Sequence, residues 1–280
     1  MKKVILVFNK SKIGVLKRMI NFSKVQNVNM DSNELAKFTE LSSKWYSKEL
    51  AALQTLNSIR IPWIKESLIS RNVLELNSNV AFKNMKLLDV GCGGGLLTEP
   101  LARLGASVIG IDTVKENIEF AKAQLENSIS SDRKRIESNI EYIHTDVASL
   151  VLSNSKLEYF DGIIASEVLE HVSDWKIMIN HLFQLLKPQG SLFITTINQT
   201  ILSNLLAIQL AERCIVPPGT HDWDKFIKPE ELCHCLKKNS FHVTMIQGMT
   251  LNPLTLNWKW ISSTSVNYAI EAVKISEKKY

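Results

Sequence analysis

Two groups of residues in this 280-residue chain have the types and spacing to do chemistry. The first is Asp89-x-Gly91-x-Gly93-x-Gly95, with Asp112 closing the next apolar run. Glycines adopt backbone angles that other residues resist, and a missing Cβ lets a ligand approach the main chain. A dinucleotide fingerprint would place a third glycine where Leu96 stands. The short turn therefore suits a nucleoside with no pyrophosphate to cradle, and the Asp112 carboxylate suits a vicinal diol. A nicotinamide site and a purely structural turn are the alternatives. The second group is Glu167, Glu170 and His171 in SEVLEHV. On a helical turn, positions i, i+3 and i+4 share one face. Two carboxylates and an imidazole there can supply three ligands to a divalent cation, leaving room for two substrate oxygens and a water. A catechol held through both oxygens has its phenol pKa lowered, so that phenolate is available near neutral pH. Packing and capping are the competing roles for these three residues.

Positioning these groups requires a particular set of elements. Periodicity and breakers predict strand, glycine turn, helix and strand across 86–112, then a helix over 115–127 and a polar loop over 128–139. Strands follow at 140–144, 159–166 and 192–197, with a helix over 175–186 stopped by Lys187-Pro188-Gln189-Gly190. The last two strands, near 241–247 and 265–274, are expected as an antiparallel pair at the sheet edge. Alternating strands and helices with short connections give an α/β fold, a parallel sheet covered on both faces. Ligands of such sheets bind at the carboxyl ends of strands. Gly91, Asp112, Asp146, Ser166 and Glu167 all fall there. Asp146 is placed either to meet a ligand or to cap a turn.

Ahead of the sheet, residues 31–85 read as a helical cap, with a break at Pro62 and Arg60 beside it. An arginine there is either a surface ion-pair partner or a bidentate clamp for a cofactor carboxylate. Residues 198–218 are more apolar than a covering helix requires, which fits a buried helix or a patch that meets a membrane or a greasy substrate. The polar cluster Gly219-Thr220-His221-Asp222-Trp223 follows.

Charge is unevenly placed. Residues 1–30 carry seven Lys and Arg and no acid, so the net +5 belongs to this segment and the body is near neutral. A basic stripe for nucleic acid is therefore not expected. The leader itself reads as a mitochondrial targeting peptide, with a solvated basic tail as the alternative. Cys92, Cys214, Cys233 and Cys235 show no zinc spacing and read as reduced thiols.

The glycine turn with its two acids resembles the S-adenosylmethionine site of the class I methyltransferases. Together with SEVLEHV, GTHDWDKFIKPEEL at 219–232, LNPLT at 251–255 and VNYAIEAVK at 266–274, it resembles the ubiquinone-biosynthesis O-methyltransferases over roughly residues 35–275. The resemblance implies a Rossmann-like, seven-stranded, mostly parallel sheet at 86–275, with a substrate or membrane insertion at 198–228. It implies methylation of a catechol hydroxyl of polyprenyl-dihydroxybenzoate and of demethylubiquinol. Cofactor contacts carried over by the resemblance fall on Arg60, Gly91, Asp112 and Ser166, with Ser166 standing where bacterial members have methionine; Asp89 and Gly93 join them from the glycine turn itself, and Asp146 stands where class I methyltransferases often contact the adenine amino group. Magnesium or a similar divalent cation would fall on Glu167, Glu170 and His171. His221 is the candidate base. The implied setting is peripheral, on the matrix side of the mitochondrial inner membrane, among other ubiquinone-biosynthesis proteins. Two other readings remain: a metal-independent class I methyltransferase for another small phenol, acid or lipid, and a non-catalytic scaffold subunit.

Overall fold

In the computed structural model, residues 32–71, 81–127, 136–204 and 222–275 are described. The expected leader, most of the 198–228 insertion, Cys214 and His221 lie outside them. The first described element is α1 (Ser32–Leu41), followed by two single 3-10 turns and the long helix α2 (Ala51–Arg71). The break expected at Pro62 does not occur, and α2 runs through it. Proline removes the amide that would bond residue 58, a real cost to a helix interior. Burial of Leu56, Trp63, Ile64 and Leu68 along one face offsets it. Arg60 therefore sits within a rigid helix, not at a hinge.

The strands form where apolar residues can be buried on both sides. In β1 (Lys86–Val90), Leu87 packs into one core cluster while Leu88 and Val90 pack into the other, the alternation a pleated strand imposes. The chain continues through α3 (Thr98–Arg103), β2 (Ser107–Asp112), α4 (Lys115–Asn127), β3 (Ile140–His144) and α5 (Val147–Leu152). Then come β4 (Phe160–Ser166), a 3-10 turn at Leu169–His171, α6 (Trp175–Leu185) and β5 (Leu186–Ile197). The expected Lys187–Gly190 stop is a bulge inside β5: the register jumps from Phe160 opposite Leu186 to Gly162 opposite Ser191. Helix α7 (Pro229–Lys238) and strands β6 (Phe241–Asn252), β7 (Asn257–Ile261) and β8 (Asn267–Lys274) complete the described chain.

The sheet has eight strands in the order β3-β2-β1-β4-β5-β8-β6-β7. The first five are parallel, while β8, β6 and β7 pair antiparallel. The expected seven strands are present, and the eighth is β7, formed because the chain turns back at Asn252–Asn257. Its Trp258 indole donates to the Ala52 carbonyl at 2.8 Å, and Trp260 packs edge-on against Trp63, so α2 covers it. Strand β1 pairs with β2 on one side and β4 on the other, so the chain order reverses there. A doubly wound sheet opens its ligand crevice at that reversal.

Candidate functional site

A cavity of about 180 Å³ opens at the carboxyl ends of β1, β2 and β4, under the cap. Arg60, Asp89, Gly91, Asp112, Asp146, Ser166, Glu167, Glu170 and His171 all line it.

The glycine turn is held from both sides. Gly93 has φ +52°, and a Cβ there would stand 2.4 Å from Cζ2 of Trp45. A Cβ on Gly91, at φ +65°, would stand 2.6 Å from Cγ2 of Val168. The Gly93 amide donates to Asp112 Oδ2 at 2.9 Å, and the Val114 amide donates to Oδ1 at 2.8 Å. Each oxygen of this carboxylate keeps acceptor capacity. Burial pushes the Asp112 pKa up, against the hydrogen bonds from Val114, Gly93 and Asn117. Asn117 in turn accepts the Trp45 indole N–H at 2.8 Å, so the cap is wired to Asp112. Asp89 accepts the Thr98 hydroxyl at 2.6 Å and joins the end of β1 to α3. Burial raises it to about 6, with Thr98 and Arg60 opposing.

Arg60 reaches the site from mid-α2. Its Nη1 donates to the Ser166 hydroxyl at 2.6 Å and its Nε to Asn57 Oδ1 at 3.0 Å. The Asn57 amide is anchored on the Leu96 carbonyl at 2.7 Å. Ser166 also shares a 2.6 Å hydrogen bond with Thr195. Asp146 does cap a turn: its Oδ1 accepts the Ser149 amide at 2.7 Å at the start of α5, while the residue still faces the cavity.

The acidic constellation departs from the expected helical turn. Glu167 precedes the 3-10 turn and has φ +56°, a left-handed conformation unusual for a residue with a Cβ. Its Oε1 is buried with no hydrogen-bond partner among the described residues. Burial, then repulsion by Glu170, raises the Glu167 pKa to about 7, against a Thr195 hydrogen bond and the Arg60 charge. Burial also raises Glu170, whose Oε2 accepts the Thr196 hydroxyl at 2.8 Å. His171 turns its Nδ1 to Glu34 Oε2 at 3.0 Å. So the three residues share the cavity wall but not one helix face. Among the described residues, no three His, Cys, Asp or Glu side chains stand at metal-holding spacing.

Sequence reasoning did not single out Glu34, Trp45, Asn57, Asn117, Thr195 and Thr196. Asn57 lies one helical turn before Arg60, a spacing that could have suggested it. Trp45 is one of several large apolar residues of the 31–85 cap and carries no distinguishing signal. The others have no local signal.

Comparison with known proteins shows the family of the chain. A family model described as a methyltransferase domain matches residues 64–245. The mitochondrial ubiquinone biosynthesis O-methyltransferase of Bos taurus is 45% identical over 251 residues, covering 88% of this chain and 66% of the relative. The human enzyme of the same name is 44% identical, covering 88% and 65%. The chain thus spans about two thirds of the length of these mammalian relatives. The ubiquinone biosynthesis O-methyltransferase of Pelagibacter ubique is 41% identical, covering 88% of this chain and 98% of its own. Among solved structures, the magnesium protoporphyrin IX methyltransferase of Synechocystis with bound S-adenosylhomocysteine superposes with a TM-score of 0.53 at 18% identity, covering 95% of this chain and all of that one. A methyltransferase of Methanosarcina mazei gives 0.52 at 20%, covering 71% and 96%. At such identities these two speak for the fold alone.

Proposed function

The chain belongs to the ubiquinone biosynthesis O-methyltransferases, and from that premise we propose that it methylates a catechol hydroxyl of polyprenyl-dihydroxybenzoate and of demethylubiquinol, with S-adenosylmethionine as donor. The observation that carries this reading is the single cavity joining Arg60, Gly91, Asp112 and Ser166 to Glu167, Glu170 and His171. It puts a diol acceptor and a carboxylate clamp beside an acidic, electron-rich wall.

When bound, the donor supplies an electrophilic methyl: the phenolate oxygen forms the new O–C bond as the C–S bond breaks, its electron pair passing to a neutral thioether. The chain's part is positioning. Asp112 accepts both ribose hydroxyls with its remaining lone pairs. Gly91 admits the nucleoside to the main chain, whereas Gly93, expected as a contact, is not among the cavity-lining residues and seats the Trp45 ring. Arg60, pinned by Asn57 and Ser166, meets the donor's carboxylate. Asp146 presents its free oxygen toward the adenine side. Trp45 and Leu41 of the cap line the cavity.

The sequence resemblance carries a divalent cation to Glu167, Glu170 and His171, but as placed these three do not stand at metal-holding spacing among the described residues. The orphaned Oε1 of Glu167 and its repulsion by Glu170 are what a cation would relieve. The engaged contacts of Glu170 with Thr196 and His171 with Glu34 favour a second reading, transfer without metal. His221 is the base this reading carries over from the sequence. The mitochondrial names of the eukaryotic relatives support a mitochondrial setting, and the reading places the chain on the matrix face of the inner membrane. Among the described residues no helix is long and apolar enough to cross a membrane. Ile201 and Leu202, exposed where β5 leads into the apolar stretch, support peripheral contact beside partner proteins of the pathway.

The test is methyl transfer from labelled S-adenosylmethionine to a short-chain prenyl dihydroxybenzoate, with and without chelator, for wild type and Glu170→Gln. Loss with chelator, recovery with magnesium and loss in the variant support the metal-assisted reading. Transfer insensitive to chelator returns the acidic wall to positioning. No transfer despite donor binding overturns the proposed substrate class.

Glu167 gives a second prediction. Glu167→Gly removes both left-handed strain and a buried orphan oxygen. Each costs about 1–3 kcal/mol. The variant is expected to unfold at or above the wild-type temperature while transfer falls at least about a hundredfold, roughly 3 kcal/mol of barrier. Calorimetry beside the transfer assay checks it, and a clearly less stable variant contradicts the strain argument.

A further inference from the structure

Arg60 lines the cavity and is only 6% exposed, yet its guanidinium hydrogen bonds among the described residues all go to neutral groups. Nε and Nη2 both donate to the Oδ1 carbonyl of Asn57, at 3.0 and 2.5 Å. Nη1 donates to the Ser166 hydroxyl at 2.6 Å. Three of the five guanidinium N–H groups are thus engaged, and two on the Nη atoms remain for a ligand. Burial lowers the Arg60 pKa, and the charges of Asp89 and Glu167 offset this only in part.

Asn57 stands one helical turn before Arg60 on α2. An aspartate at 57 would hold the same edge of the guanidinium and neutralise it, as buried charges ordinarily require. The amide supplies the acceptor without the charge. Its orientation is fixed, because its Nδ2 donates to the Leu96 carbonyl at 2.7 Å and a guanidinium can only donate. A buried cation held by neutral acceptors keeps its pull on an anion, at a cost in stability that a bound anion recovers. We propose that Asn57 is a positioning residue of the donor site: it fixes the Arg60 guanidinium and leaves its charge unneutralised, so that the two remaining Nη N–H groups take the donor's carboxylate. This rests on the reading of Arg60 given above. A purely structural role explains the contacts less well, because an uncompensated buried charge is what costs a fold stability.

Decarboxylated S-adenosylmethionine keeps the adenosine, the sulfonium and the amine, and lacks only the carboxylate. The experiment is calorimetric titration of the full chain with each donor, for wild type, Asn57→Ala, Arg60→Ala, the double variant and Asn57→Asp. Wild type is expected to prefer S-adenosylmethionine by about tenfold or more, the worth of hydrogen bonds between charged groups. Asn57→Ala should cut that preference to about threefold or less, with the decarboxylated donor bound within about twofold of wild type. In the Arg60→Ala background the same substitution should move neither donor by more than about twofold. Asn57→Asp keeps an oxygen on the guanidinium but adds a competing charge, so its preference should fall as well. Equal weakening of both donors by Asn57→Ala would place its role in the Leu96 carbonyl and the glycine turn, and overturns the proposal. So does an unchanged preference in a variant that only melts earlier, or a full preference in Asn57→Asp. A preference that survives Arg60→Ala refutes the carboxylate clamp itself, and the proposal falls with it.

Discussion

Asp112→Ala is expected to weaken S-adenosylmethionine binding about a hundredfold. The carboxylate already accepts the amides of Gly93 and Val114, one on each oxygen. Its remaining capacity is what two adjacent hydroxyls require. Hydrogen bonds to a charged acceptor contribute roughly 1.5–3 kcal/mol each. Losing the pair, and leaving two ribose hydroxyls unpaired in a closed site, gives about 3 kcal/mol or two decades in Kd. The same substitution frees two backbone donors, so some stability is lost as well. Asp112→Asn separates the two effects. It keeps one acceptor oxygen and should bind the donor about tenfold more weakly, with a smaller change in melting temperature. Calorimetric titration with the donor and with its demethylated product checks both variants. Binding by Asp112→Ala within about threefold of wild type would mean that the ribose lies elsewhere and that the glycine turn is structural.

What sequence could and could not reveal follows from the range of the forces involved. The strands and helices around the glycine turn were legible because each depends on its own residues. The helix expected over 115–127 is α4 with the same ends, and the strand expected over 140–144 is β3. Strand β7 was not legible. Its Asn-Trp-Lys-Trp-Ile run is short, it follows Pro253, and its two tryptophans are held by α2, about two hundred residues earlier. Arg60 stands out in the sequence by the proline beside it, yet it reaches Ser166 because α2 does not break there. Glu167 was placed on a helix face by spacing, whereas the chain leaves β4 in a left-handed conformation that no spacing rule encodes. The cap residues were hidden most completely. Trp45 and Asn117 are 72 residues apart, and Glu34 and His171 are 137 apart. Such pairs become visible only when the fold brings them together.

The cap's share in the cofactor site makes Gly93→Ala the second large prediction. An L-residue held in the left-handed region loses roughly 1–2 kcal/mol. The added methyl carbon would also meet three ring atoms of Trp45 between 2.4 and 2.8 Å, and an indole has no loose end to swing aside. The ring must withdraw, which breaks its 2.8 Å hydrogen bond to Asn117 and loosens Asn117 from Asp112. The expected loss in unfolding free energy is about 2–4 kcal/mol, with donor binding weaker by at least about tenfold. Urea unfolding of wild type, Gly93→Ala, Trp45→Ala and the double variant shows where the loss arises. Trp45→Ala alone removes a buried indole and should cost about 3–5 kcal/mol. If the glycine is needed to seat that ring, the double variant will be more stable than the sum of the single losses allows, by about 1–3 kcal/mol. Strict additivity would assign the loss to backbone strain alone. Coupling would mean that the glycine turn answers to the cap as well as to its ligand, so that a folded cap is a condition for a formed cofactor site.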